Sequence, residues 1–121
     1  MILLVEDDDD VRVALHGLLA DEGYEITSVS NGQAGLDVIR GGSRPDLVLL
    51  DWNMVPMNGA KFIESLSAAE RPPIALLTAD TRVAEKAKAY GCVAFLKKPV
   101  DLDALFELVE RSVAPSTTLG R

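Results

Sequence analysis

The chain has 121 residues with 19 acidic against 12 basic side chains, and its formal charge of −7 excludes a phosphate-tracking nucleic-acid surface. That length suits one domain, and a hydrophobic fraction of 48% supplies a core that should bury about two-thirds of the unfolded surface. The single cysteine, Cys92, excludes an intrachain disulfide and a cysteine-based zinc cluster.

The first strand is expected at Ile2-Leu3-Leu4-Val5, directly at the amino end with no leader ahead of it, and no apolar run approaches ~20 residues. A cytoplasmic domain without membrane contact is therefore expected. Acid follows the strand at once, from Glu6 to Asp10. Val11, Leu15, Leu18 and Leu19 then recur at helical spacing, with Asp9 or Asp8 as N-cap. Gly23 stops that helix, and a second strand is expected over residues 24–29. Asn31-Gly32 reads as a turn, and Ala34, Val38 and Ile39 as a short helix closed by Gly41-Gly42.

Pro45-Asp46 leads into a third strand, Leu47-Val48-Leu49-Leu50, which ends on Asp51. A loop over residues 52–59 precedes a helix marked by Phe62, Ile63 and Leu66, and Pro72-Pro73 separates it from the strand Ile74-Ala75-Leu76-Leu77, which ends on Thr78. A less apolar helix is expected over 81–90, ended by Gly91, and a fifth strand over 93–96, running into Lys97-Lys98-Pro99. Leu102, Leu105, Phe106, Val109 and Val113 give the clearest amphipathic helix, capped by Asp101. One domain over 1–113 is expected, with a loose tail or truncated linker over 114–121.

Short apolar runs bounded by turn signals read as buried parallel strands, and alternation with helices makes an α/β sheet with right-handed crossovers. Ligands of such sheets sit beyond the carboxyl ends of the strands. Glu6, Asp7, Asp51, Thr78 and Lys98 would therefore gather on one edge. Each has a plainer reading alone: Asp51 as a turn former, the acid run as a helix opening, Thr78 as a β-branched strand residue, Lys98 as a solvated lysine. Taken together, in this order, these plainer readings lose ground. Two adjacent acids beside Asp51 repel unless a cation neutralises them, and the hard oxygen set suits Mg²⁺.

In this order the residues resemble the receiver domain of two-component response regulators, a CheY-like superfamily, over nearly the whole chain. The segment Asp51-Trp52-Asn53-Met54-Val55-Pro56-Met57-Asn58-Gly59 carries the family's loop signature, with its proline displaced by one position. The resemblance implies a flavodoxin-like (βα)5 fold with strand order 2-1-3-4-5. It implies that Asp51 is the phosphoacceptor, that Asp7, Asp51 and the Asn53 backbone carbonyl hold Mg²⁺ (or Mn²⁺), and that Glu6 acts through water. It further implies Thr78 as switch hydroxyl, Lys98 as phosphate contact, often across a cis peptide to Pro99, and Phe95 as switch aromatic. Lys97 would point the other way by strand alternation. The expected protein is a signalling phosphoprotein rather than a classical enzyme. It would take phosphate from a histidine kinase or phosphotransfer protein and act on a protein target or fused effector. The fifth strand and last two helices offer a face for that target or for a homodimer.

Other readings stay open at this point. A phosphate-independent module with the same fold lacks a use for the full acid, hydroxyl and amine set. A small haloacid-dehalogenase-like phosphohydrolase finds an echo in Asp8-x-Asp10-Val11, but those acids lie past the strand end. A flavin carrier would want backbone donors where the first loop is acidic. His16 reads as a boundary histidine and Cys92 as an inert buried thiol. Trp52, beside Asp51, is expected to be partly exposed.

Overall fold

The computed structural model describes residues 1–80 and 82–113. Thr81 and the tail expected over 114–121 lie outside the described residues. Five strands, β1 (Ile2–Val5), β2 (Ile26–Val29), β3 (Leu47–Asp51), β4 (Ile74–Thr78) and β5 (Ala94–Lys97), alternate with five helices. The helices are α1 (Asp9–Asp21), α2 (Gly32–Arg40), α3 (Gly59–Glu64), α4 (Val83–Ala89) and α5 (Leu102–Ser112). The strands form one parallel sheet in the order β2-β1-β3-β4-β5, which is the flavodoxin-like topology.

The near-continuous apolar strands follow from burial on both faces. Leu3, Val5, Val48, Leu50 and Leu76 meet Leu36, Phe62 and Ala87 of α2, α3 and α4. Their neighbours Ile2, Leu4, Leu47, Leu49 and Leu77 meet Leu15, Leu19, Leu105 and Val109 of α1 and α5. Alternation along each strand thus feeds two cores on opposite faces of one sheet.

Helix starts are set by side-chain caps. Asp8, not Asp9, caps α1, its Oδ1 accepting from Asp10 N at 2.9 Å and Val11 N at 3.1 Å. Asp101 caps α5 through Asp103 N at 2.9 Å. Asn31, expected in a turn, and Asn58, expected in the loop over 52–59, cap α2 and α3 through Ala34 N (2.8 Å) and Lys61 N (2.9 Å).

Several boundaries shift from expectation. Residues 24 and 25 stay outside β2, because Gly23 takes φ +92° and Tyr24 N turns back to donate to Leu19 O at 3.2 Å. Leu66 lies beyond α3, where the Ser65 hydroxyl donates to the Lys61 carbonyl at 2.7 Å, yet it remains buried. Before α4, Asp80 Oδ1 accepts from Arg82 N at 2.9 Å, an Asx turn that holds the helix start back to Val83. β5 runs one residue later than expected, pairing Lys97 with Thr78.

Candidate functional site

The parallel sheet brings the ends of β1, β3, β4 and β5 to a single edge, and the predicted residues arrive there together. β1 pairs with β3 from Ile2↔Leu47 to Val5↔Leu50, so Glu6 and Asp7 emerge beside Asp51. Asp51 pairs with Leu77, and Trp52 N donates to Leu77 O at 3.0 Å, so Thr78 follows at the same level. Lys98 N donates to Thr78 O at 2.7 Å, which carries the register one residue past β5.

At this edge Glu6, Asp7 and Asp51 each offer a carboxylate oxygen within 4.8 Å of the others. Glu6 is 0% exposed and Asp51 4%, whereas Asp7 is open to solvent. The Lys98 ammonium lies between the two buried acids, 2.6 Å from Glu6 Oε1 and 3.4 Å from Asp51 Oδ1. Glu6 Oε1 has no other partner among the described residues, while Oε2 accepts from Asp8 N at 3.2 Å. Asp51 Oδ1 also accepts from Asn53 N at 3.2 Å.

The crowding is visible in the protonation energetics. Burial, then hydrogen bonding and repulsion from Glu6, push the Asp51 carboxyl above its ordinary range, even with Lys98 pulling the other way. Asp7 is also raised, by desolvation and by Asp51 beside it. For Lys98, desolvation alone would lower its pKa, but Glu6 and Asp51 outweigh it and hold the ammonium charged. Three acids share one lysine, so the cluster lacks positive charge. A hard divalent cation is the group this donor set fits.

The remaining predicted residues fall around the cluster. Thr78 is 1% exposed and its Oγ1 accepts from Asp80 N at 3.0 Å, leaving the hydroxyl hydrogen to another acceptor. Phe95 is 44% exposed, so it is not a core side chain. Lys97 is exposed, and the ion pairs to Glu6 and Asp51 come from Lys98 instead. The Lys98–Pro99 peptide is cis, and so is Val55–Pro56 in the loop with the displaced proline.

Trp52 departs from expectation. It is buried at 9% exposure, with its ring edge-on to Tyr90 at a centroid distance of 5.5 Å and packed over Gly59. As the residue after Asp51 on a two-faced strand, it turns into the core with Leu50. His16 shares a hydrogen bond with Ser28 Oγ at 2.9 Å. Cys92 is half-buried, and burial raises its thiol pKa against the pull of Arg71, which leaves it a poor nucleophile. Asp8 and Asp10 belong to the start of α1, and Asp8 is engaged in its cap.

Arg12 is a residue that the sequence reading misses, and it ties the end of β1 to the start of α1. It donates from one guanidinium nitrogen to the Glu6 carbonyl at 3.0 Å and from another to Asp9 Oδ1 at 2.5 Å. A cation in the first turn after an acid run is the signal that could have found it.

Known proteins share this fold and much of the sequence. Residues 2–110 match the response regulator receiver domain family. The chain is 36% identical over 115 residues to Regulatory protein AtoC of Escherichia coli, covering 93% of this chain and 25% of that protein. It is 29% identical to Sporulation initiation phosphotransferase F of Bacillus subtilis, covering 91% of this chain and 90% of that protein. It therefore spans a quarter of the first relative's length and nine-tenths of the second's. Among solved structures, chemotaxis protein CheY4 of Vibrio cholerae superposes with a TM-score of 0.82 at 27% identity, covering 93% of this chain and 97% of that one. A response regulator receiver protein from Pseudomonas putida gives 0.83 at 30%, covering 91% and 94%. A match across nearly the whole sequence, joined to the strand order and the edge cluster, makes this chain a member of the receiver domain family of two-component response regulators.

Proposed function

We propose that this receiver domain accepts a phosphoryl group on Asp51 from a phosphohistidine of a kinase or phosphotransfer protein. The observation that carries the reading is the trio of carboxylates within 4.8 Å of one another, with the Lys98 ammonium between Glu6 and Asp51. Asp7, Asp51 and the Asn53 carbonyl would hold Mg²⁺, with Glu6 acting through water; Mn²⁺ suits the same oxygens. When bound, the ion supplies charge neutralisation at the phosphoryl oxygens.

The protein's own groups perform the rest. An Asp51 carboxylate oxygen attacks phosphorus, the P–O bond of an acyl phosphate forms, and the P–N bond to the donor imidazole breaks. The imidazole nitrogen keeps the bonding pair and takes a proton from solvent. Lys98 leaves its contact with Asp51 to pair with a phosphoryl oxygen, and the free hydroxyl hydrogen of Thr78 donates to another. The exposed setting of Phe95 supports a switch in which the ring moves inward as Thr78 shifts, altering the face of α4, β5 and α5. An added phosphoryl charge of about −1.5 to −2 gives that shift its driving contact. The output belongs to a protein partner or fused effector that reads this face.

The test is labelling with acetyl phosphate and Mg²⁺. The wild-type chain should gain one phosphoryl group by intact-mass spectrometry, and Asp51→Asn none. Retained labelling in that variant refutes the assignment. Thr78→Ala should keep most of the labelling while weakening the partner's response, and an equal loss of both would remove Thr78 from the switch.

A further inference from the structure

At the amino-terminal edge of the sheet, opposite the acid cluster, the segments leading into β3 and β4 line a half-open surface cavity of about 580 Å³. That volume lies within the range of small-ligand sites, roughly 300–1,000 Å³. The protein is acidic overall, yet Arg40, Arg44 and Arg71 line this cavity against the single acid Glu70. Pro45, Pro72 and Pro73 form walls whose backbone is already restricted, and Ile39 adds an apolar patch.

The charges are unevenly engaged. Glu70 Oε2 accepts from Arg40 Nε at 3.1 Å and its Oε1 from Ser67 N at 3.0 Å, while Arg40 also donates to the Ser65 carbonyl at 2.6 Å. Arg71 donates from one terminal nitrogen to the Tyr90 carbonyl, lies against Gly91 and also meets the Cys92 thiol. Arg44 makes no hydrogen bond or ion pair among the described residues. Arg40 and Glu70 therefore neutralise each other, leaving the Arg44 guanidinium and the Arg71 nitrogens not used at Tyr90 and Cys92 to offer donors. A guanidinium fork matches the two oxygens of a carboxylate or phosphate.

We propose that this cavity binds a small organic dianion, a phosphate monoester or a dicarboxylate, through Arg44 and Arg71, with its apolar body against the proline walls. Arg71 makes the site more than a surface trap, because the same side chain holds the carbonyl that ends α4. An occupant drawing on Arg71 acts on the end of that helix.

The experiment is a titration of the Mg²⁺-free, ¹⁵N-labelled protein with phenyl phosphate and, separately, with phthalate, at constant ionic strength. Saturable amide shifts over residues 39–44 and 69–71, extending to Gly91, are expected with at least one probe, and the tighter probe identifies the head group. Arg44 is exposed and unpartnered, so Arg44→Gln should fold normally and bind about tenfold more weakly. Shifts that stay linear with concentration, that centre on Lys98 instead, or that are unchanged in Arg44→Gln overturn the proposal.

Discussion

Asp51 sits in an environment that disfavours its own charge, and this has a measurable cost. Lys98 stands closer to Glu6 than to Asp51, 2.6 Å against 3.4 Å, so its charge is divided and does not offset burial. The folded pKa of Asp51 is raised, and that of Asp7 with it. A raised carboxyl holds its proton more tightly in the folded state than in the unfolded one. Its stabilising contribution is complete below the unfolded value and lost as pH rises through the folded one. At neutral pH the metal-free protein therefore carries an unfavourable carboxylate that Asn would not. Asp51→Asn should raise the thermal midpoint of the metal-free protein at pH 7, and the gain should shrink toward about pH 4. A lower midpoint for the variant at pH 7, in chelator-treated samples, contradicts this account.

At the scale of elements, two glycines in helices show how the surroundings decide the sign of one substitution. Gly17 lies inside α1 with nothing within 4 Å of where a Cβ would stand. Only propensity acts there, and Gly17→Ala should stabilise by up to about 1 kcal/mol. Gly59 opens α3, and its Cβ would stand 2.6 Å from Trp52 Cε3 and 3.1 Å from Trp52 Cα. The Trp52 ring is held against Tyr90, and its backbone is fixed to β4 through Leu77 O. Overpacking of about 1–3 kcal/mol then outweighs the smaller propensity gain, so Gly59→Ala should destabilise. Urea denaturation of both variants checks the pair, and the same sign for both would show that local contacts do not control these positions.

Across the whole molecule, the elements were legible because each strand is a short apolar run closed by a residue of different chemistry, such as Leu50 before Asp51 or Leu77 before Thr78. Their order in the sheet was not, since parallel pairing leaves no local signal; the expectation for it rested on likeness to receivers. The edge residues were legible as a set, but the ion pair between Glu6 and Lys98 was not. It joins positions at opposite ends of the chain and depends on the sheet being assembled. Trp52 misled because a residue after a strand end can face either way, and here it continues the inward alternation of β3.

The same assembly would tie cation binding at the edge cluster to global stability. The carboxylates of Glu6, Asp7 and Asp51 converge only when β1 and β3 are paired, so an ion held there binds the folded chain and not the unfolded one. Such a ligand at about 100 times its Kd stabilises by roughly 2.7 kcal/mol. Mg²⁺ should therefore raise the thermal midpoint of the wild-type domain in a concentration-dependent way. Asp7→Asn, which changes a solvent-open side chain, should keep the fold and lose most of that response. Acidification should weaken the response as well, because protons compete for carboxyls whose folded pKa values are already raised. Calorimetry across a Mg²⁺ series at two pH values measures both effects. A midpoint that rises equally in wild type and Asp7→Asn would mean that the ion acts elsewhere on this acidic surface, and the edge cluster would lose its claim to hold it.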